Sequence, residues 1–285
     1  MIKMKPNNKN NLISILITNY NKEKFLKKNL TKICNEKFKN HEILLYDDCS
    51  DDDSINIIKK YKKIRLIRNL KKKKNSGPLN QLSGIIKLFK MSKGNIICLL
   101  DADDHFFKDK LTKINHFFIK NKNMNCIFNM PKANHKNFKF KNKGKKKTIW
   151  PTIFPTSCIS IRKSFFKNFI KHSEKNKFDR LEIDARITIF SNFYFNEYNV
   201  VHEKLTKYNY DPSGITADIK KFSAIWWKRR YQAYLYLRIL LKKKRKIFTP
   251  SLDFYVTFFI NIFGEIQKMF KLGLEVMPSD DEKQF

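Results

Sequence analysis

At 285 residues the chain is long enough for one large domain with an appendage and for a sizeable core. Its 60 Lys and Arg against 26 Asp and Glu, a formal net charge of +34, suit a polyanionic partner such as nucleic acid, anionic lipid or nucleotide phosphate, but the excess of Lys, Asn, Ile and Phe is also what AT-rich codons produce. The five scattered cysteines without a C-x-x-C pair exclude a disulfide framework and a structural zinc site; with a polar segment 1–11 and no apolar run of spanning length, they predict a cytoplasmic chain, soluble or bound to a surface.

Residues 12–18 are rich in branched apolar side chains and too short for a helix, which predicts a buried strand ending in Thr18, Asn19, Tyr20 and Asn21. A helical pattern follows, with Phe25, Leu26, Leu30 and Ile33 on one face, then a second strand over 42–46 ending in Asp47 and Asp48. Residues 50–54 cap a further helix, and 64–67 read as a third strand. A basic loop over 71–78 leads to a helix over 82–91, which feeds an apolar run opened by Gly94 and closed by Asp101, Asp103 and Asp104. Strands alternating with helices on this scale mean an α/β domain whose ligands sit at the carboxyl ends of the strands.

The three carboxylates after the fourth strand repel one another and lose hydration against a sheet, so a divalent cation such as Mg or Mn, or a donor-rich ligand, would neutralise them. They also read as an acidic turn capping a helix over 108–120. The turn after the first strand has no glycine, which removes both the dinucleotide fingerprint and the P-loop, because each needs backbone close to phosphate. Asp47 or Asp48 could accept from a base edge or ribose, or could serve as a local cap.

Three motifs then agree in order, spacing and position at strand ends: Ile15 to Asn21, Tyr46 to Asp52, and Gly94 to Asp104. On these the chain resembles the family-2 glycosyltransferases. The resemblance implies a GT-A type α/β fold with a mixed, mostly parallel sheet and a C-terminal helical segment, and a nucleotide-diphosphate sugar as donor. It implies that Thr18 and Tyr20 line the base pocket, that Asp48 meets the base or ribose, and that Asp101 and Asp103 form the D-x-D pair holding Mn or Mg on the diphosphate, with Asp104 adjacent. One departure is clear: where the family often has Ala-Arg-Asn, this chain has Leu79, Asn80 and Gln81, so a lysine of the 71–74 run could take the place of that Arg.

Beyond residue 120, a strand over 125–128 precedes a basic insertion over 132–147, and 156–162 read as a strand entering a helix at Lys163. Residues 178–187 begin a helix that brackets acids with apolar positions. By resemblance Asp184, with Arg186 close behind, is the catalytic base, with Glu182 and Asp179 as the other candidates; alternatively Glu182 and Asp184 favour the helix dipole and pair with Arg180 or Arg186. Residues 199–208 read as a strand, and His202 is either a metal ligand or a hydrogen-bonded structural residue.

From 216 onward aromatic and basic residues alternate over two helical segments, 222–246 and 252–272, before a polar tail at 277–285. The helices could lie on an anionic membrane or pack on the catalytic domain or a second subunit. The division expected is therefore a transferase domain over 1–215, with a nucleotide-sugar half at 12–130 and an acceptor half at 131–215, and a helical tail over 216–285. The function expected is metal-dependent, inverting transfer to a saccharide or lipid-linked acceptor in surface polysaccharide or glycolipid synthesis. A nucleotidyltransferase would open on a glycine-rich loop, and a nucleic-acid-binding protein built on the tail would leave the acidic strand ends unexplained.

Overall fold

The computed structural model describes residues 11–71, 76–133, 149–150, 152–212, 214–215 and 219–275, with side chains to 264. In chain order the elements are β1 (Ile13–Asn19), α1 (Glu23–Cys34), β2 (His41–Asp47), α2 (Ser54–Lys59), β3 (Ile64–Arg68), α3 (Gly77–Met91), β4 (Ile96–Asp101), β5 (His105–Phe106), α4 (Lys110–Lys120), β6 (Cys126–Ala133), β7 (Ile159–Arg162), α5 (Lys163–His172), α6 (Ile183–Ile189), β8 (Asn199–Tyr208), α7 (Ala224–Lys243) and α8 (Leu252–Glu275). The basic segments 72–75 and 134–148 and the tail 276–285 lie outside the described residues.

The strands form one sheet in the order β3-β2-β1-β4-β7-β6-β8-β5. The first four run parallel, β7 is antiparallel to both β4 and β6, and β6 and β8 are parallel with bulges near Asn129 and Met130. This is the mixed, mostly parallel α/β architecture the sequence predicts.

Alternation along the parallel strands sets the two cores. Ile13, Ile15 and Ile17 with Ile43, Leu45, Ile96, Cys98 and Leu100 face α1 and α4 through Leu26, Leu30, Leu111, Ile114 and Phe118. Leu16, Leu44, Tyr46, Ile97 and Leu99 face the opposite layer of α3, α5, α6 and α7. Both faces are buried, so these strands read as continuous apolar runs. Each fully buried Leu, Ile or Phe contributes about 1.5–3 kcal/mol relative to exposure. Gly84 lets α3 approach closely, because a Cβ there would stand 2.3 Å from the Tyr46 ring. α7 belongs to this second core: Ala233, Tyr236, Leu237 and Leu240 are buried in it.

Several boundaries differ from the sequence reading. α3 begins at Gly77 rather than Leu82, because Ser76 is extended at its N-cap and Pro78 suits a first turn that needs no N–H partner. Thr156–Cys158 is a 3-10 turn ahead of β7, and β5 is a two-residue strand paired with β8 that no periodicity could signal. α6 begins only at Ile183, with residues 178–182 forming its approach, and its end widens into a π turn over Phe190–Tyr194.

Candidate active site

β1 pairs with β2 on one side and β4 on the other, in register Asn19↔Asp47 and Thr18↔Asp101, so the motif-bearing strand ends stop at one level. Chain order reverses across β1, and that is where a parallel sheet opens a crevice. A cavity of about 710 Å³ lies there. Thr18, Tyr20, Lys22, Asp48, Asp101 and Asp103 line it from the sheet, Asn80 and Gln81 from α3, Glu182 and Asp184 from α6 and its approach, Tyr208 and Asp211 from the end of β8, and Trp226 and Arg229 from α7.

The turns after β1 and β2 hold Asn21 at φ 51° and Cys49 at φ 63°, a conformation that side chains seldom adopt. Local hydrogen bonds hold them: Asn21 Nδ2 donates to Asp51 at 2.6 Å, and Ser50 Oγ donates to Asp47 at 2.6 Å. Asp47 is fully buried and also accepts from Asn19 Nδ2 at 2.8 Å, so it braces the turns. Asp48 faces the cavity, where Asn69 Nδ2 donates to it at 3.0 Å and the Tyr46 hydroxyl at 3.3 Å.

Asp101 Oδ1 accepts from Gln81 Nε2 at 2.8 Å and Thr18 Oγ1 at 3.1 Å. Burial, reinforced by Asp103, pushes its carboxyl up to about 7. Burial raises Asp103 too, although Lys22 opposes the shift from 3.3 Å away. The same ammonium bonds Asp211, and although burial pulls it down, the two acids leave it above its ordinary range. Asp104 does not line the cavity; it is buried, accepts from the Asn209 amide at 2.8 Å, and is raised by burial and then by Asp103 and Asp101.

At α6, Glu182 is the N-cap and Asp184 lies in the first turn. Glu182 Oε2 accepts from Arg229 Nε at 2.6 Å. Burial, then the Glu182 charge, lifts Asp184 to about 7. The pairing of these acids with Arg180 or Arg186 is replaced by this contact from α7. Arg180 lies beside Asp179, which also accepts from Gln232 and Lys228 and does not line the cavity. Arg186 is fully buried and donates to the carbonyls of Leu181, Ser173, Glu174, Lys177 and Phe178; burial lowers it to about 10. It fixes the approach to α6. His202 is exposed on β8 and outside the cavity.

The structure therefore brings Thr18, Tyr20, Asp48, Asp101, Asp103, Glu182 and Asp184 together around one cavity. Lys22, Gln81, Tyr208, Asp211, Trp226 and Arg229 join them unannounced by any motif. Gln81 and Arg229 stand nearest to a sequence signal: the first falls in the departing Leu79-Asn80-Gln81 stretch, the second among the alternating aromatic and basic residues.

The donors suit a divalent cation held jointly with a ligand. Asp101 and Asp103 both offer hard oxygens, and the Lys22 ammonium already stands 3.3 Å from Asp103. Among the described residues no group of three or more His, Cys, Asp or Glu side chains is placed to hold a metal ion.

The sequence profile of glycosyl transferase family 2 matches residues 14–191. An uncharacterized glycosyltransferase of Haemophilus influenzae is 37% identical over 116 residues, covering 39% of this chain and 43% of that protein. The Escherichia coli protein named UDP-Glc:alpha-D-GlcNAc-diphosphoundecaprenol beta-1,3-glucosyltransferase WfaP is 33% identical over 108 residues, covering 37% of this chain and 41% of its own. The match thus spans less than half the length of these relatives. Among solved structures, Staphylococcus aureus TarS 1-349 in complex with UDP-GlcNAc superposes with a TM-score of 0.60 at 13% identity, over 79% of this chain and 66% of that one. A Pyrobaculum calidifontis mannosyltransferase in complex with GDP-Man and Mn2+ gives a TM-score of 0.51 at 12% identity, over 84% and 66%. These two likenesses concern the fold. The profile match covers well over half of the chain, and the chain belongs to glycosyl transferase family 2.

Proposed function

We propose that this chain transfers a glycosyl group, with inversion, from a nucleoside-diphosphate sugar to a hydroxyl of a saccharide or lipid-linked acceptor, using Mn or Mg. The observation that carries the reading is the meeting of Asp48, Asp101, Asp103 and Asp184, from the end of β2, the end of β4 and the first turn of α6, around one cavity. The E. coli relative's name describes a sugar carried on a diphospho-lipid, which supports a lipid-linked acceptor in envelope polysaccharide synthesis.

In this reading Thr18 and Tyr20 line the base pocket, and Asp48, oriented by Asn69 and Tyr46, accepts from base or ribose. Asp101, held by Thr18 and Gln81, and Asp103 hold the cation on the diphosphate. Bound there, the cation offsets the negative charge that develops on the leaving diphosphate. Asp104 anchors the Asn209 amide and so positions the loop carrying Asp211. Arg229 supplies a cation from α7 where the Ala-Arg-Asn stretch is absent.

Asp184 is the general base. It takes the proton of the acceptor hydroxyl while that oxygen bonds to the anomeric carbon, and the bond from that carbon to the diphosphate oxygen breaks with its electron pair leaving on phosphate. Glu182, which accepts from Arg229 on one oxygen, raises Asp184 electrostatically rather than taking the proton itself.

Calorimetry of UDP and GDP binding, with and without Mn, on the wild type and on Asp103→Ala tests the donor site. Metal-dependent binding of either nucleotide, lost in the variant, is the expected result. Absence of nucleotide binding alongside tight, salt-sensitive RNA binding would overturn it.

A further inference from the structure

The helical segment after 216 divides its work between two surfaces. α7 turns inward: Trp226 and Arg229 line the cavity, and the Arg230 guanidinium lies 4.8 Å from the centre of the Trp226 ring. α8 packs on α7 by one face. Phe254 meets the Tyr234 ring at 5.2 Å, Thr257 is buried, and Asn261 donates to the Trp227 carbonyl at 3.1 Å. Asp253, the acid of its first turn, is committed to Arg230 and Tyr234.

The opposite face of α8 is apolar and open. Leu252, Tyr255, Val256, Phe259, Ile260 and Phe263 recur at helical spacing, and Leu252, Phe259 and Phe263 are 80%, 52% and 63% exposed. At the N-terminal end of this stripe the turn from α7 presents Lys242, Lys243, Lys244, Arg245 and Lys246, all exposed, followed by Ile247 at 91% exposure. Lys243 bonds Glu174 and Lys244 lies over Tyr194, which leaves Lys242, Arg245 and Lys246 as the cations of the turn not engaged in these contacts.

We propose that this face of α8, with the adjoining basic turn, docks the chain in the plane of an anionic lipid surface. An apolar helical stripe flanked by cations is the pattern that seats side chains among acyl chains while ammonium and guanidinium groups meet headgroups. Charge decides between this occupant and a second copy. A net charge of +34 opposes self-association and draws the chain to a negatively charged surface. No helix among the described residues is long and apolar enough to cross a bilayer. Of the roles the sequence left open for this segment, packing on the domain is taken by α7, whose Trp226 lines the cavity, and docking falls to α8 and the turn.

The test is co-sedimentation of the full chain with vesicles of phosphatidylglycerol and phosphatidylcholine, against phosphatidylcholine alone. The wild type should bind the anionic vesicles at least about tenfold more tightly, with the difference reduced by salt. Phe259→Glu with Phe263→Glu should lose about tenfold or more, and Lys242→Ala with Arg245→Ala and Lys246→Ala should lose the preference for anionic lipid. All the altered side chains are exposed, and Mn-dependent UDP binding serves as the check that each variant keeps its fold and donor site. Wild-type chain that ignores anionic vesicles, or a Phe variant that binds them unchanged, overturns the proposal. Dimerisation in sedimentation experiments that is abolished by the Phe variant, without vesicle binding, also overturns it and assigns the face to a second copy.

Discussion

The Lys22 ammonium stands 3.3 Å from Asp103 and bonds Asp211 as well, so a cation from the chain itself sits between two carboxylates of the cavity. It joins the turn after β1 to the loop after β8, and it neutralises one of the two acids proposed to hold the metal.

Lys22→Met should therefore act in opposite directions on two measurements. Without metal, Asp103 and Asp211 repel each other and the melting temperature falls. Mn binding tightens about fivefold to tenfold, the factor that corresponds to roughly 1 kcal/mol of removed competition. Calorimetric Mn titration with UDP present reads the second effect. Weaker nucleotide binding would instead place this ammonium on the diphosphate.

Substitutions in the first turn of α6 should separate its two acids. Asp184→Asn removes the proton acceptor and should lower kcat by about 10²–10⁴ with UDP affinity within about twofold. Glu182→Gln keeps the acceptor and lowers kcat less, while the limb of the pH profile moves down because a charge that raises Asp184 is gone. Equal losses in both variants would refute the division of roles.

The pH dependence carries a definite sign. Asp101 and Asp184 rise from 3.8 to about 7 on folding, so the folded chain binds more protons than the unfolded one between roughly 4 and 7. Metal-free stability should fall as pH climbs through that window and stay lower above it. The rate should rise toward pH 7 and then level, since the base acts ionised; the limb reports the acidic cluster as a whole. Thermal melts at pH 5 and pH 8 without metal, and a kcat/KM profile, check the two trends.

Arg186→Met should be costly without touching the cavity. It strips one buried donor from five carbonyls, those of Leu181, Ser173, Glu174, Lys177 and Phe178. The Glu174 and Phe178 carbonyls keep a second donor in the Lys177 and Leu181 amides, while those of Leu181, Ser173 and Lys177 lose the guanidinium; at about 1–3 kcal/mol for each group left unpaired, a loss on the order of 3 kcal/mol or more, and a Tm drop of roughly 6 °C or more, is expected. A thermal melt that does not move would show that water replaces the guanidinium.

The parallel half of the sheet and the acids at its strand ends were legible in the residues alone, because unbroken branched apolar runs can be satisfied only by burial on both faces and because Asp47, Asp48, Asp101 and Asp103 follow those runs. The sequence also carried the family, since three spaced motifs share one register. Tertiary structure alone decided which acids face the cavity. Asp47 and Asp48 are neighbours with the same chemistry, and only alternation against Asn19 and Ser50 turns the first inward. Lys22, Asp211 and Arg229 lie far apart in the chain and match no motif, so their meeting with Asp103 and Glu182 depends on how β8 and α7 return to the sheet. The exposed face of α8 is the same kind of case: its apolar residues look alike in sequence, and packing on α7 covers Phe254 and part of Phe258 and leaves Leu252, Tyr255, Val256, Phe259, Ile260 and Phe263 open.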